Sequence, residues 1–349
     1  MSAKIVFTML SKLARLFRVS LRCDALRFTG SLLTCAGFPM RASFRFILTT
    51  AATLLLDSLD FVRADILYVA NGNSTISKVD SSGRGSEFVG SGVSVPYGIA
   101  FDHAGNLYVA LTNLKIIRKI TPGGVQSIFA DSTDGLFFPY GLAFDSADNL
   151  YVANLNQKIL KFTPDGVGSA FADASEGVRT PTALAFDSAG NLYAGDSFNR
   201  NIMKFTPDGI GSVFASGDSS FNPRGLAFDR SGNLFVTDGT SIKEFTPNGV
   251  GSTFLTPDIG TLWGLAFDSA GNLYTSIYQS NTVERFTPDG IGSVFADAND
   301  GLSGPGFLAF TDDNGVPLHL PPTAVPEPAT WALLGLGLPA LLGLWRPRR

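Results

Sequence analysis

The 349-residue chain carries 26 Lys+Arg against 30 Asp+Glu, and 45% of it is hydrophobic, which excludes a disordered polymer. The charge is unevenly placed: residues 1–64 hold nine basic and three acidic side chains, whereas residues 65–328 hold 14 basic and 27 acidic ones, a net charge of about −13. So acidic a centre excludes nucleic acid as a partner, because that affinity comes from Lys and Arg on phosphates, and charge alone would not hold it on anionic lipid.

Both cysteines, Cys23 and Cys35, precede residue 65. From Met40 a basic start with Arg41 and Arg45 leads into an apolar run from Phe46 to Leu56. Val62-Arg63-Ala64 then places small residues at the −3 and −1 positions of a signal-peptidase site. We expect 40–64 to be a signal peptide handled by signal peptidase, with 1–39 a start-site artefact or an extended leader. Asp57 and Asp60 weaken its apolar stretch. Cleavage after Ala64 leaves a mature chain with no cysteine, so no disulfide is expected.

A repeat fills the next stretch. The phrase Gly-Leu-Ala-Phe-Asp-Ser-Ala-Gly-Asn-Leu-Tyr recurs with variations, its Phe falling at Phe101, Phe144, Phe186, Phe228, Phe267 and Phe310, 39 to 43 residues apart. A Leu-aromatic pair follows six times, from Leu67-Tyr68 to Leu273-Tyr274. A third segment, Lys161-Phe-Thr-Pro-Asp-Gly-Val-Gly-Ser-Ala-Phe171, is matched from Lys204, Glu244 and Arg285. Asp, Gly and Asn between two β-rich runs predict a hairpin, and Thr-Pro-Asp-Gly predicts a second. Four short strands per repeat of this length indicate a propeller blade. Gly and Pro interrupt every segment, so a helical repeat is excluded.

The ends of the repeat predict the blade count. It begins at Ile66-Leu67-Tyr68, a second strand without a first, and ends at Gly306-Phe307-Leu308-Ala309-Phe310, a first strand without a second. Together they make one blade, so the expected fold is an all-β six-bladed β-propeller over 65–310, closed by strands from both ends of the repeat region. Pro-x-Gly-Leu-Ala-Phe-Asp, then Gly-Asn-Leu-Tyr-Val-Ala and a Lys-Phe strand, resemble the NHL repeat and the wider group of gluconolactonase-like and streptogramin-lyase-like propellers.

A Pro-rich linker is expected over 311–324. In 325–349, Val325-Pro326-Glu327-Pro328 precedes a short apolar segment bounded by Trp331 and Trp345, and Arg346, Arg348 and Arg349 close the chain. A short apolar helix flanked in this way suits a transient membrane anchor. The order resembles the PEP-CTERM sorting signal of Gram-negative bacteria. That resemblance implies an exosortase-type enzyme as partner, export through the inner membrane, and a final place in the envelope or outside the cell. Extracellular polysaccharide or a matrix protein is the further partner it suggests.

Candidate chemistry lies where the repeats disagree. The variable residue of Pro-x-Gly is Tyr97, Tyr140, Thr182, Arg224 and Trp263, with Gly306 in the closing blade. By resemblance this position lines the mouth of the central channel, and Asn71, Asn154, Asp196, Asp238 and Ser276, after the second strand, share that end. Aromatic faces ringed by amides and carboxylates suit a glycan, and equally an extended peptide. The first reading is therefore a non-catalytic binding or scaffold module that needs no cofactor. Resemblance to gluconolactonases supports a second reading, a hydrolase or lyase with a divalent cation such as calcium held by Asn154, Asp196 and Asp238, although no Glu lies near the Pro-x-Gly segment. A third is a spacer without a small ligand. The only histidines are His103 in a turn and His319 beyond the last blade, too few and too far apart for the histidine chemistry of the lyases. The recurring Asp102, Asp145, Asp187, Asp229 and Asp268 read as turn caps rather than a calcium array, as do Asp165, Asp208 and Asp289.

Overall fold

The computed structural model describes residues 26–29, 32–35, 65–256 and 260–318. Leu26–Thr29 and Leu32–Cys35 pair as an antiparallel two-stranded sheet within a unit of their own, Met1–Val62. The expected signal peptide and sorting signal lie outside the described residues. Among the described residues no helix is long and apolar enough to cross a membrane.

Everything else described is a ring of six four-stranded antiparallel sheets. Blade 3 shows the plan: Pro139–Phe144, Leu150–Asn154, Lys158–Phe162 and Gly168–Ala172, from the channel outwards. Blade 1 is the composite. Its inner strand Pro305–Thr311 pairs with Ile66–Asn71 in the register Leu308↔Val69, Ala309↔Tyr68 and Phe310↔Leu67, and Thr75–Val79 and Gly85–Val89 complete it. Blades 2, 4, 5 and 6 begin at Pro96, Pro181, Gly225 and Leu262. The order extends past Phe310: Asp312 accepts from the N–H groups of Asn314 and Val316, and Leu318 N–H donates back to the Phe310 carbonyl. The start of the expected linker is therefore one more hairpin of the repeat.

The turns follow from their residues. Asp187 Oδ1 accepts from the N–H groups of Ala189 (3.0 Å) and Asn191 (2.8 Å), while Oδ2 accepts from the Asn191 amide (2.8 Å). Asp145, Asp229 and Asp268 repeat the pattern. Each is a cap that satisfies backbone donors a turn would otherwise leave open. In the Thr-Pro-Asp-Gly turn, Gly166 takes φ +84°, and Thr163 accepts from Gly166 N–H at its carbonyl and from Val167 N–H at its hydroxyl.

Between blades, one aromatic wedge recurs six times. The ring after each repeated Leu sits edge-on between the Phe of its own outer strand and the Phe of the next blade's inner strand. Tyr151 does so with Phe171 and Phe186 at 4.9 and 5.0 Å, and Tyr274 with Phe295 and Phe310 at 4.9 Å each. Edge-to-face pairs of this kind add roughly 0.5–1.5 kcal/mol each beyond burial. The core is thus six equivalent seams, and the strand pair Ile66–Asn71 and Pro305–Thr311 makes the sixth possible.

Candidate functional site at the channel mouth

The inner strands start at the same end of the ring, and their first three residues set the mouth. Adjacent inner strands pass so closely that a Cβ on Gly141 would lie 2.7 Å from the Thr182 carbonyl oxygen, and one on Gly264 would lie 2.6 Å from that of Gly306. Gly98 and Gly225 meet the Tyr140 and Trp263 carbonyls more tightly still. In blades 2, 3, 5 and 6 the glycine of Pro-x-Gly is therefore a packing requirement, whereas blade 4 carries Ala183 and blade 1 Phe307 at that place, and the preceding residue differs from blade to blade.

Those variable side chains converge. Tyr97 and Tyr140 stand 4.6 Å apart between ring centroids, and Trp263 is 6.1 Å from Tyr97 and 6.4 Å from Tyr140, nearly parallel to the latter. Blades 3 and 6 face each other across the ring, so Tyr140 and Trp263 span the channel. Beneath them Phe307 touches Tyr140 at 5.9 Å and packs against clusters on both sides of the ring. The channel is stoppered at this end by aromatic side chains, and a ligand would meet a platform rather than a hole. Tyr278 extends the platform outwards, 6.0 Å from Trp263 and about half exposed at 46%.

Arg224 lays its guanidinium 4.6 Å from the Trp263 ring centre. Among the described residues no carboxylate pairs with it. Burial, with a smaller contribution from Tyr97, pushes the Tyr140 phenol well above its ordinary range, so it stays a neutral donor.

The other expected site residues are placed differently. Thr182 is buried and turns its hydroxyl to the Pro223 carbonyl of blade 5, 2.6 Å away. Asn71, Asn154 and Asp196 are essentially inaccessible. Asn71 binds Ser77 and accepts from Ser303 N–H. Asn154 accepts from Phe137 N–H and donates to the Gly135 carbonyl, and Asp196 accepts from the N–H groups of Arg179, Thr180 and Asn199. Asp238 holds Ser241 and has Lys243 3.9 Å away. These groups pin the loops that enter the inner strands. Asn154, Asp196 and Asp238 each face their own loop and are already engaged, so they do not fit as a shared set of cation ligands. Among the described residues no cluster of three His, Cys, Asp or Glu could hold a metal.

Ser276 also needs a change of register. Leu262 pairs with Ile277 as Pro139 pairs with Asn154, so Ile277 occupies the Asn154 place and Ser276 lies one position earlier. There its hydroxyl accepts from Gly264 N–H and donates to the Gly306 carbonyl of blade 1, as Thr237 does between Gly225 and Trp263. Sequence reasoning missed two mouth residues. Phe307 stands where the other blades have Gly or Ala, its neighbour Gly306 having taken the variable place. Tyr278 follows the second strand, where Gly72, Thr112, Leu155, Ser197 and Gly239 follow theirs, and a lone aromatic in that column was the available signal. His103 lies at the opposite end, where Asp148 of the neighbouring turn accepts from its backbone and contacts its ring.

A six-bladed ring with Pro-x-Gly inner strands defines an NHL-type propeller. Residues 72–262 match the family model described as the Teneurin NHL domain, and the chain belongs to that family. Residues 324–349 match the PEP-CTERM protein-sorting motif, which implies a sorted, exported or cell-surface protein processed by an exosortase. Among solved structures the chain is similar to a streptogramin B lyase (TM-score 0.55, 16% identity, covering 73% of this chain and 96% of that one). It is similar also to a catalytically inactive virginiamycin B lyase from Staphylococcus aureus with quinupristin (0.55, 16%, 73% and 94%). A third similarity is to a putative gluconolactonase (0.53, 19%, 63% and 82%). At such identities the likeness is one of fold. No protein of curated function matches the chain.

Proposed function

We propose that this protein is an exported, non-catalytic binding or scaffold propeller of the bacterial envelope or extracellular matrix, and that it engages a glycan at the channel mouth. The observation that carries the reading is the platform of Tyr97, Tyr140, Trp263 and Tyr278, four amphipathic rings in contact at one end of a rigid ring. Flat apolar faces with polar edges are what pyranose rings stack on, and Tyr278 presents its ring at the exposed rim of the platform. The side chains around it are engaged in holding loops, which suits recognition better than bond breaking.

The test is equilibrium binding of oligosaccharides followed by calorimetry on the full chain. Tyr97→Ala and Tyr140→Ala should each weaken binding by about 1–2 kcal/mol, in line with the loss of one stacked ring, with unchanged melting of the six seams. Saturable binding untouched by both substitutions would move the site elsewhere. Binding that appears only with calcium, and disappears with chelator, would instead favour a metal-dependent hydrolase.

A further inference from the structure

We infer that the glycan recognised at this mouth is anionic, a polysaccharide bearing carboxylates of the uronic-acid type, and that Arg224 is the residue that selects it. The inference rests on the glycan-binding reading above and adds the charge of the ligand. Three observations carry it. The region from 65 to 328 holds 27 acidic side chains against 14 basic ones, so a cation there has acids in excess to pair with. At the end opposite the mouth that pairing happens: Lys119, Lys161 and Lys204 each stand 3.7 Å from the turn carboxylates Asp102, Asp145 and Asp187. At the mouth it happens for Lys243, 3.9 Å from Asp238, but not for Arg224 or Lys115. Arg224 lies on Trp263, and Lys115, on the same face, lies 4.8 Å from the centre of the Phe137 ring; among the described residues neither has a carboxylate partner.

The Arg224 guanidinium lies over the Trp263 indole at 4.6 Å and makes no side-chain hydrogen bond among the described residues, and guanidinium N–H groups match a carboxylate with two parallel hydrogen bonds. Asp238, a carboxylate at the same end of the ring, is held by Ser241 and Lys243. A hexuronate presents both partners at once, a pyranose face for Tyr97, Tyr140 and Trp263 and a carboxylate at the ring edge for Arg224. A neutral hexose would leave the guanidinium as it is in the free protein.

The test uses the full chain with Trp331→Phe and Trp345→Phe, which leaves Trp263 as the single indole of the three in the sequence. Its emission is followed during titration with hexagalacturonate, with the same oligomer after reduction of its carboxyls, and with polyglutamate. We expect hexagalacturonate to bind at least tenfold more tightly than its reduced form. Arg224→Gln should abolish that preference, bringing the two affinities to within about twofold of each other, and Arg224→Lys should keep part of it. Near-ultraviolet dichroism matched to the parent qualifies each variant. If Arg224→Gln does not fold, the comparison between the two oligomers on the parent chain still decides. Equal affinity for both oligomers overturns the anionic inference and leaves glycan binding standing. Polyglutamate binding as tightly as hexagalacturonate overturns the choice of a saccharide. A flat response to both oligomers overturns the glycan reading itself.

Discussion

At the scale of single residues, the mouth is governed by how closely two backbones pass. A methyl group on Gly141 would press on the Thr182 carbonyl at 2.7 Å, and neither strand can yield without disturbing its ladder. Gly141→Ala should therefore cost about 1–3 kcal/mol, the usual range for overpacking. Gly123→Ala, in a turn with only the Thr121 hydroxyl 3.9 Å away, should stay within about 0.5 kcal/mol. Thermal unfolding of the two side by side checks this, and equal losses would sink the argument. Tyr278 was not singled out by the sequence, whereas Tyr97, Tyr140 and Trp263 were legible in it because they vary within a repeat. The fate of Asn154 and Asp196 was not, because their partners Phe137 and Arg179 lie 17 residues back in a loop with no pattern of its own. Phe307 escaped because the closing blade exchanges the order of small and large residues within Pro-x-Gly.

At the scale of elements, the caps make two predictions. Removing the Asp187 carboxylate in Asp187→Ala strips three hydrogen bonds from one turn and should cost about 1–3 kcal/mol, read by denaturant unfolding. The loops entering blades 3, 4 and 5 carry their own caps. Hydrogen bonds from the Thr133 hydroxyl, the Ser175 N–H and the Ser220 hydroxyl are the main causes holding Asp131, Asp173 and Asp218 below the ordinary carboxylate range. Groups depressed in the folded state bind protons more readily when unfolded. Their contribution is present above the usual Asp range near 4 and is lost as pH falls through their lowered values. Acid unfolding of Asp173→Asn should accordingly depend less on pH in that window than the parent does. The turn chemistry was readable from Asp, Gly and Asn alone, since such hydrogen bonds are local. The Ser276 register was not, because Thr275-Ser276 offers two adjacent polar residues and only strand pairing chooses between them.

At the scale of the whole molecule, the six tyrosine and phenylalanine seams and the closing strand act together. Burial raises the phenols of Tyr68, Tyr108, Tyr140, Tyr151, Tyr193 and Tyr274 above their ordinary value. Their contribution to stability is complete below pH 10, the value for an unfolded tyrosine, and is lost as pH rises through the raised values. Phenolate absorbance at 295 nm from these six rings should therefore appear together with loss of the fold. A single early transition for all tyrosines, with the fold intact, would contradict the burial. Ending the chain before Pro305 removes the inner strand of blade 1 and exposes the edge of Ile66–Asn71. We expect that chain to lose cooperative melting altogether. The blade count was legible because the two incomplete ends of the repeat complement each other; the aromatic stopper was not, because it joins residues from opposed blades.

Closure by the last strand also orders events in time. The strand Ile66–Asn71 is made early and pairs with a segment roughly 240 residues later. Until that segment emerges, the ring stays open, and joining ends so far apart makes the final step slow. A chain that cannot finish folding before it is finished is one that stays threadable. The clasp that makes the mature ring durable thus also keeps the nascent chain in a form that a translocation pore can accept.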